Sequence, residues 1–131
     1  MATIQWFPGH MSKARRQVQE NIKHVDFVTI LVDARLPLSS QNPMLTKIVG
    51  DKPKLMILNK ADLADANRTK EWRNFFESQG IKTLAVNSKE QSTVKFVTVA
   101  GRELMSEKLE RLQERGIKKE TLRTMIIGIP N

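Results

Sequence analysis

The sequence contains no cysteine. That excludes a disulfide framework and a thiolate metal site, and it suits a reducing cytoplasm. No apolar run approaches the ~18 residues that a membrane-spanning helix needs. The first residues are polar and meet Trp6, Phe7 and Pro8 at once, with no basic region leading into an apolar stretch, so no secretion signal and no membrane association are expected. Acidic residues are scarce beside basic ones, 14 against 22, which leaves a formal net charge of +8. The sign suits an anionic partner, and RNA is the commonest large one in a cytoplasm; solubility alone is the competing reading. There is no internal repeat, low-complexity tract or linker.

What is present reads as one compact domain. The 131 residues, 40% of them apolar and 27% charged, are ordinary for a globular core. Apolar runs at 27–32, 55–58, 83–86 and 125–129 are short, rich in large or branched side chains, and bounded by turn residues, as buried strands are. Near-continuous apolarity predicts strands covered on both faces, hence a parallel sheet between helices. Between them, helical spacing predicts a helix from a Ser12 cap through Val25, a short one opened by Asn42 and Pro43 and stopped at Gly50, one over 65–78 stopped at Gly80, and a long one over 92–115 stopped at Gly116. Trp72, Phe75 and Phe76 fall on one side of the third helix and are expected in the core. The fold class is therefore α/β, a doubly wound parallel sheet of about four strands flanked by helices. Ligands of such sheets sit at the carboxyl ends of the strands, so the residues just after each strand matter most.

Asn59, Lys60, Ala61 and Asp62 directly follow the second run and form the pattern Asn-Lys-x-Asp. Guanine presents two donors on one edge, N1–H and the 2-amino group, and an ionised carboxylate at Asp62 accepts both. Adenine lacks that pair, so the carboxylate discriminates between the purines. The Lys60 stem can cover one face of the base, and the Asn59 amide can tie this loop to a phosphate loop. The competing reading is a turn in which Asn59 and Asp62 merely cap the next helix. Asn87, Ser88 and Lys89 follow the third run, in a turn that is a candidate to give a backbone N–H to the guanine carbonyl; a common Asn-Ser turn is the alternative. The last run leads into Gly128-Ile129-Pro130-Asn131, the first four positions of a phosphate loop Gly-x-x-x-x-Gly-Lys-[Ser/Thr]; an ordinary strand end is the alternative. The base-reading turns precede this strand, the reverse of the usual order, and the connection 116–121 makes such a permutation physically simple.

Four stretches together resemble one family: Trp6-Phe7-Pro8-Gly9-His10-Met11 with Lys13 and Ala14; Asp33-Ala34-Arg35-Leu36-Pro37 with Asn42-Pro43; Asn59-Lys60-Ala61-Asp62; and Gly128-Ile129-Pro130-Asn131. The sequence is similar to the YlqF/YawG-type circularly permuted GTPases, of the ribosome biogenesis GTPase A kind. The resemblance implies a P-loop GTPase fold, present here in part: an N-terminal arm and helix over 1–25, then a partial GTPase domain over 26–131. It implies GTP or GDP binding, hydrolysis with Mg²⁺ and K⁺, and a role in late assembly of the large (50S) ribosomal subunit, with its precursor and rRNA as partners. It further implies a C-terminal RNA-binding helical domain; a cytoplasmic monomer is expected. The phosphate-loop lysine, the switch threonine and the Mg²⁺ ligands lie outside these residues, so residues 1–131 alone are expected to hydrolyse little or no GTP.

In that family a histidine at the place of His10 is a candidate for positioning the attacking water; a capping or RNA-facing histidine is the bland alternative. His24 reads as a helix-end surface residue. Trp6 and Phe7 beside Lys13, Arg15 and Arg16 suit either an RNA-facing surface or rings packed onto the domain. Arg35 suits either a phosphate or RNA contact, or a structural pair with Asp33. The alternating charges of 102–115 read as a solvated helix face. A non-enzymatic RNA- or ribosome-binding module remains the alternative function.

Overall fold

The computed structural model describes residues 3–6, 11–38, 42–87 and 93–129. Five strands are assigned: β1 Thr3–Gln5, β2 Phe27–Asp33, β3 Lys54–Asn59, β4 Lys82–Ala85 and β5 Thr124–Ile129. The helices are α1 Met11–Asn21, α2 Pro43–Val49, α3 Ala66–Ser78, α4 Thr93–Leu104 and α5 Ser106–Glu114. The strands form one sheet in the order β1-β5-β2-β3-β4, and every pair is parallel. All strand carboxyl ends therefore share one edge.

Alternation along the strands sorts the core into two layers. Val28, Ile30 and Val32 of β2, Met56 and Leu58 of β3, and Met125, Ile127 and Ile129 of β5 face one side. There they meet Ala14 and Val18 of α1, Leu45 and Val49 of α2, and Phe76 of α3. Phe27, Leu55 and Ile57 point the other way, toward Ala100 of α4 and Met105 beyond its end. Burial on both faces is the reason the strands read as continuous apolar runs.

The fifth strand is a departure from the expected four. Thr3–Gln5 is too short to show a pattern, and it joins the sheet only through a partner more than a hundred residues away, with Ile4 against Ile127. Its burial of Ile4 and Trp6 holds it there. Trp6, 4% exposed, is packed in the core and presents no ring to RNA. Phe7 lies outside the described residues.

Three smaller differences have local causes. Ser12 lies inside the first turn of α1, which already runs at Met11, so it is not the cap. The long helix is two, because Met105 is drawn into the second layer of the core and leaves α-helical geometry at φ −97, ψ 9. Phe75 is partly exposed, whereas Phe76 is fully buried beneath Trp72. The expected stops at Gly50, Gly80 and Gly116 all adopt positive φ. Asn42 caps α2 by accepting a hydrogen bond from the Met44 N–H, with Pro43 in the first turn.

Candidate functional site

The carboxyl edge gathers the turns after β2, β3 and β4. Asp33 and Asn59 form the last rung between β2 and β3. Ala34 N–H donates to the Asn59 carbonyl at 2.7 Å, which fastens the turn after β2 to the end of β3. Ala61 N–H donates to the Val86 carbonyl at 2.9 Å, which fastens the Asn-Lys-x-Asp turn to the residue before Asn87. The turns after β3 and β4 are thus joined directly. Asn87 is half-buried; Ser88 and Lys89 lie outside the described residues.

Lys60 has φ 58, ψ 38, the left-handed region. Among the described residues it is the one non-glycine with positive φ. That conformation costs an L-residue roughly 1–2 kcal/mol, and strain of this kind concentrates at ligand sites. It turns the chain sharply into the short 3₁₀ helix Ala61–Leu63, closed by Leu63 N–H on the Lys60 carbonyl.

Asp62 sits in that turn, exposed, and its carboxylate makes no hydrogen bond or ion pair among the described residues. The capping alternative fails for it. Asp65 caps α3, its Oδ1 accepting from Asn67 N–H at 2.9 Å and Arg68 N–H at 3.1 Å. The Asn59 side chain is likewise uncommitted among the described residues.

Asp33 is where charge concentrates. Its Oδ1 accepts from Arg35 N–H and Nε, both at 2.9 Å, and its Oδ2 accepts from Arg35 Nη2 at 2.7 Å. The Arg35 hydrogen bonds outweigh the effect of burial and hold the Asp33 carboxyl down at about 2. Of the two roles open to Arg35, the geometry supplies the pair with Asp33. Lys60 Nζ stands 3.8 Å from the same Oδ2. The spacing of Asp33 and Lys60 in sequence carried no sign of this contact; only the register of β2 with β3 brings them together.

Gly128 is buried inside β5, one residue before its end, and its carbonyl accepts from Trp6 N–H at 2.8 Å. β2 separates β5 from β3. Pro130, Asn131 and His10 lie outside the described residues. Lys13, Arg15 and Arg16 are exposed on α1, whose inner face is Ala14 and Val18, and none of the three has an ion-pair partner among the described residues. His24 is exposed at the end of the 3₁₀ turn after α1. A cavity of about 800 Å³ lies elsewhere, between α4 and the middle of the sheet, against Phe27, Leu31, Val97 and Ile126. Gly101 lets α4 approach there, since a Cβ at that position would stand 2.6 Å from the Phe27 ring.

Sequence reasoning missed Asp26. It is buried at the start of β2 and bound by Lys119 Nζ at 2.8 Å, by Arg123 N–H at 2.7 Å and by Lys108 at 3.5 Å. Lys108 belongs to the helix face read as merely solvated, so part of that face does structural service. An acidic residue directly before a continuous apolar run was the available signal.

A doubly wound parallel sheet whose Asn-Lys-x-Asp strand precedes its glycine-bearing strand defines the class: the fold of circularly permuted GTPases. Comparisons with known proteins agree. No family model matches the chain. Ribosome biogenesis GTPase A of Bacillus pumilus is 50% identical over 129 residues, 98% of this chain and 46% of that protein. Mitochondrial ribosome-associated GTPase 1 of Mus musculus is 35% identical over 129 residues, 96% of this chain and 38% of its own length. Among solved structures, GNP-bound YlqF from T. maritima superposes with a TM-score of 0.53 at 26% identity, covering 87% of this chain and 41% of that one. The chain spans about half the length of the Bacillus relatives it matches. Across practically its whole length, the protein is similar to ribosome biogenesis GTPase A.

Proposed function

We propose that the full-length protein binds and hydrolyses GTP as a cytoplasmic, monomeric assembly factor for the large (50S) ribosomal subunit, and that residues 59–62 read the guanine base. One observation carries this reading: Asp62 stands exposed and uncommitted at the carboxyl edge while Asp65 does the capping that would otherwise account for it. A carboxylate so placed has both oxygens available for the N1–H and 2-amino donors of guanine. The uncommitted Asn59 amide fits the second requirement, a link toward the phosphate loop.

In this reading Asp62 selects the base, and the Lys60 stem shields one face of it. A backbone N–H from Asn87, Ser88 or Lys89 meets the guanine carbonyl. Gly128, Pro130 and Asn131 begin the phosphate loop. His10 is the candidate for positioning the attacking water. Mg²⁺ and K⁺ would supply charge neutralisation at the phosphates, with protein ligands outside these residues. Lys13, Arg15 and Arg16 are exposed, without ion-pair partners among the described residues, and suit rRNA phosphates of the precursor subunit.

The test is base preference. Asp62→Asn in the full-length protein is expected to weaken GTP binding by at least tenfold and to favour xanthosine triphosphate, whose 2-position carries an oxygen. Unchanged GTP affinity in that variant overturns the reading. The three exposed cations of α1 also favour a second reading, a ribosome-binding module with no nucleotide dependence. Binding to ribosomal particles that tightens with a non-hydrolysable GTP analogue rejects it.

A further inference from the structure

Lys60 is bent back by its left-handed backbone, and its ammonium comes to rest 3.8 Å from Asp33 Oδ2. Asp33 is 9% exposed at its side chain and is clamped from one side by Arg35 through its main chain and its guanidinium. Arg35 takes the short contacts, at 2.7–2.9 Å. Lys60 is therefore left at charge–charge range, beyond hydrogen-bond length, with 44% of its side chain exposed. The ammonium is tethered without being consumed: all three of its N–H donors stay open to a ligand. A long lysine stem held this way loses less freedom when a base lies along it.

We propose that Asp33 is a positioning residue for the nucleotide site, which sets the Lys60 side chain for the base and tunes nucleotide affinity without touching the nucleotide. The inference rests on reading residues 59–62 as the guanine site. Asp33 lies one strand away from that turn, at the last rung of β2 with β3, and it is the only carboxylate among the described residues that pairs with Lys60. Arg35 is the device that keeps the tether long. Without it, both Asp33 oxygens would be free to draw Lys60 into a close pair.

The test is a double-substitution cycle in the full-length protein, read as the Kd for GDP. Asp33→Asn is expected to raise Kd about five- to tenfold in the wild-type background, and less than about twofold in a Lys60→Ala background. The preference for GDP over ADP should stay as it was, because Asp62 is intact. An equal rise in both backgrounds overturns the inference, since it is what a purely structural role in shaping the 34–38 loop would give. No rise in the wild-type background overturns it as well. If Lys60→Ala leaves Kd unchanged, or the unsubstituted protein does not bind GDP, the guanine-site reading itself fails and this inference falls with it. Should circular dichroism show Asp33→Asn unfolded, Asp33→Glu serves the same cycle. It keeps the charge but moves it by one methylene, and is expected to raise Kd about two- to fivefold only where Lys60 is present. A rise that persists with Lys60→Ala, or no rise in either background, again overturns the proposal.

Discussion

Asp26 is buried and yet ionised. Burial alone would raise its carboxyl, but hydrogen bonds from Lys119 and from Arg123 N–H, with the charges of Lys119 and Lys108, outweigh that and hold it below its ordinary value. The same three partners tie the segment after α5 to the start of β2. Asp26→Asn keeps the shape and removes the charge, so the loss is of charge-assisted hydrogen bonds; about 2 kcal/mol of stability should go with it. Thermal melting of the full-length protein checks this, and an unchanged midpoint would mean the two lysines contribute nothing. The sign of the pH dependence follows from the direction of the shift. A carboxyl lowered in the folded state contributes stability that is complete above its unfolded value and is lost as pH falls through its folded one. Asp26 and Asp33 therefore both lose their contribution below pH ~4, with Asp33 extending the loss to about 2. Acid unfolding of Asp26→Asn should be less steep than wild type in that window.

At the scale of the element, the cap of α3 and the proposed base contact fall on two aspartates three residues apart. Asp65→Ala removes the acceptor for two N–H groups of the first turn of α3 and should cost about 1 kcal/mol while leaving GTP affinity unchanged. A loss of nucleotide binding in that variant would show that the turn and the helix cannot be treated apart. The same elements show what the sequence could and could not reveal. β2, β3 and β5 announce themselves because both of their faces are largely covered and each reads as a nearly unbroken apolar run; β4, at the sheet edge, is marked only by the shorter run 83–86. β1 does not, because three residues carry no period and their only partner is β5, at the far end of the chain. The Asn-Lys-x-Asp turn is legible because its chemistry is local. The Asp33–Lys60 contact and the Asp26 hub are not, because both arise from strand register and from a loop folding back, which no spacing encodes. The break at Met105 is hidden for a related reason: helical spacing continues across it, and only the side chain's place in the core interrupts the backbone.

At the scale of the molecule, the charge of +8 is spread unevenly in what it can do. Lys108 and Lys119 are engaged with Asp26, Lys82 with Glu103, and Arg35 with Asp33, so their charge is largely spent inside the fold. Lys13, Arg15 and Arg16 have no such partner among the described residues; all three are exposed on α1, whose buried side is anchored by Ala14 and Val18. Replacing all three with glutamine leaves that anchor intact and should not disturb the fold. If they meet rRNA phosphates, each contact releases condensed counterions, and removing three should flatten the slope of log K against log salt by about 2. The measurement is binding of the full-length protein to precursor large-subunit particles across a salt series, with GTP affinity measured alongside. A flatter slope with unchanged GTP affinity assigns α1 to the particle and the carboxyl edge to the nucleotide. An unchanged slope would remove α1 from the contact and leave the excess charge to solubility.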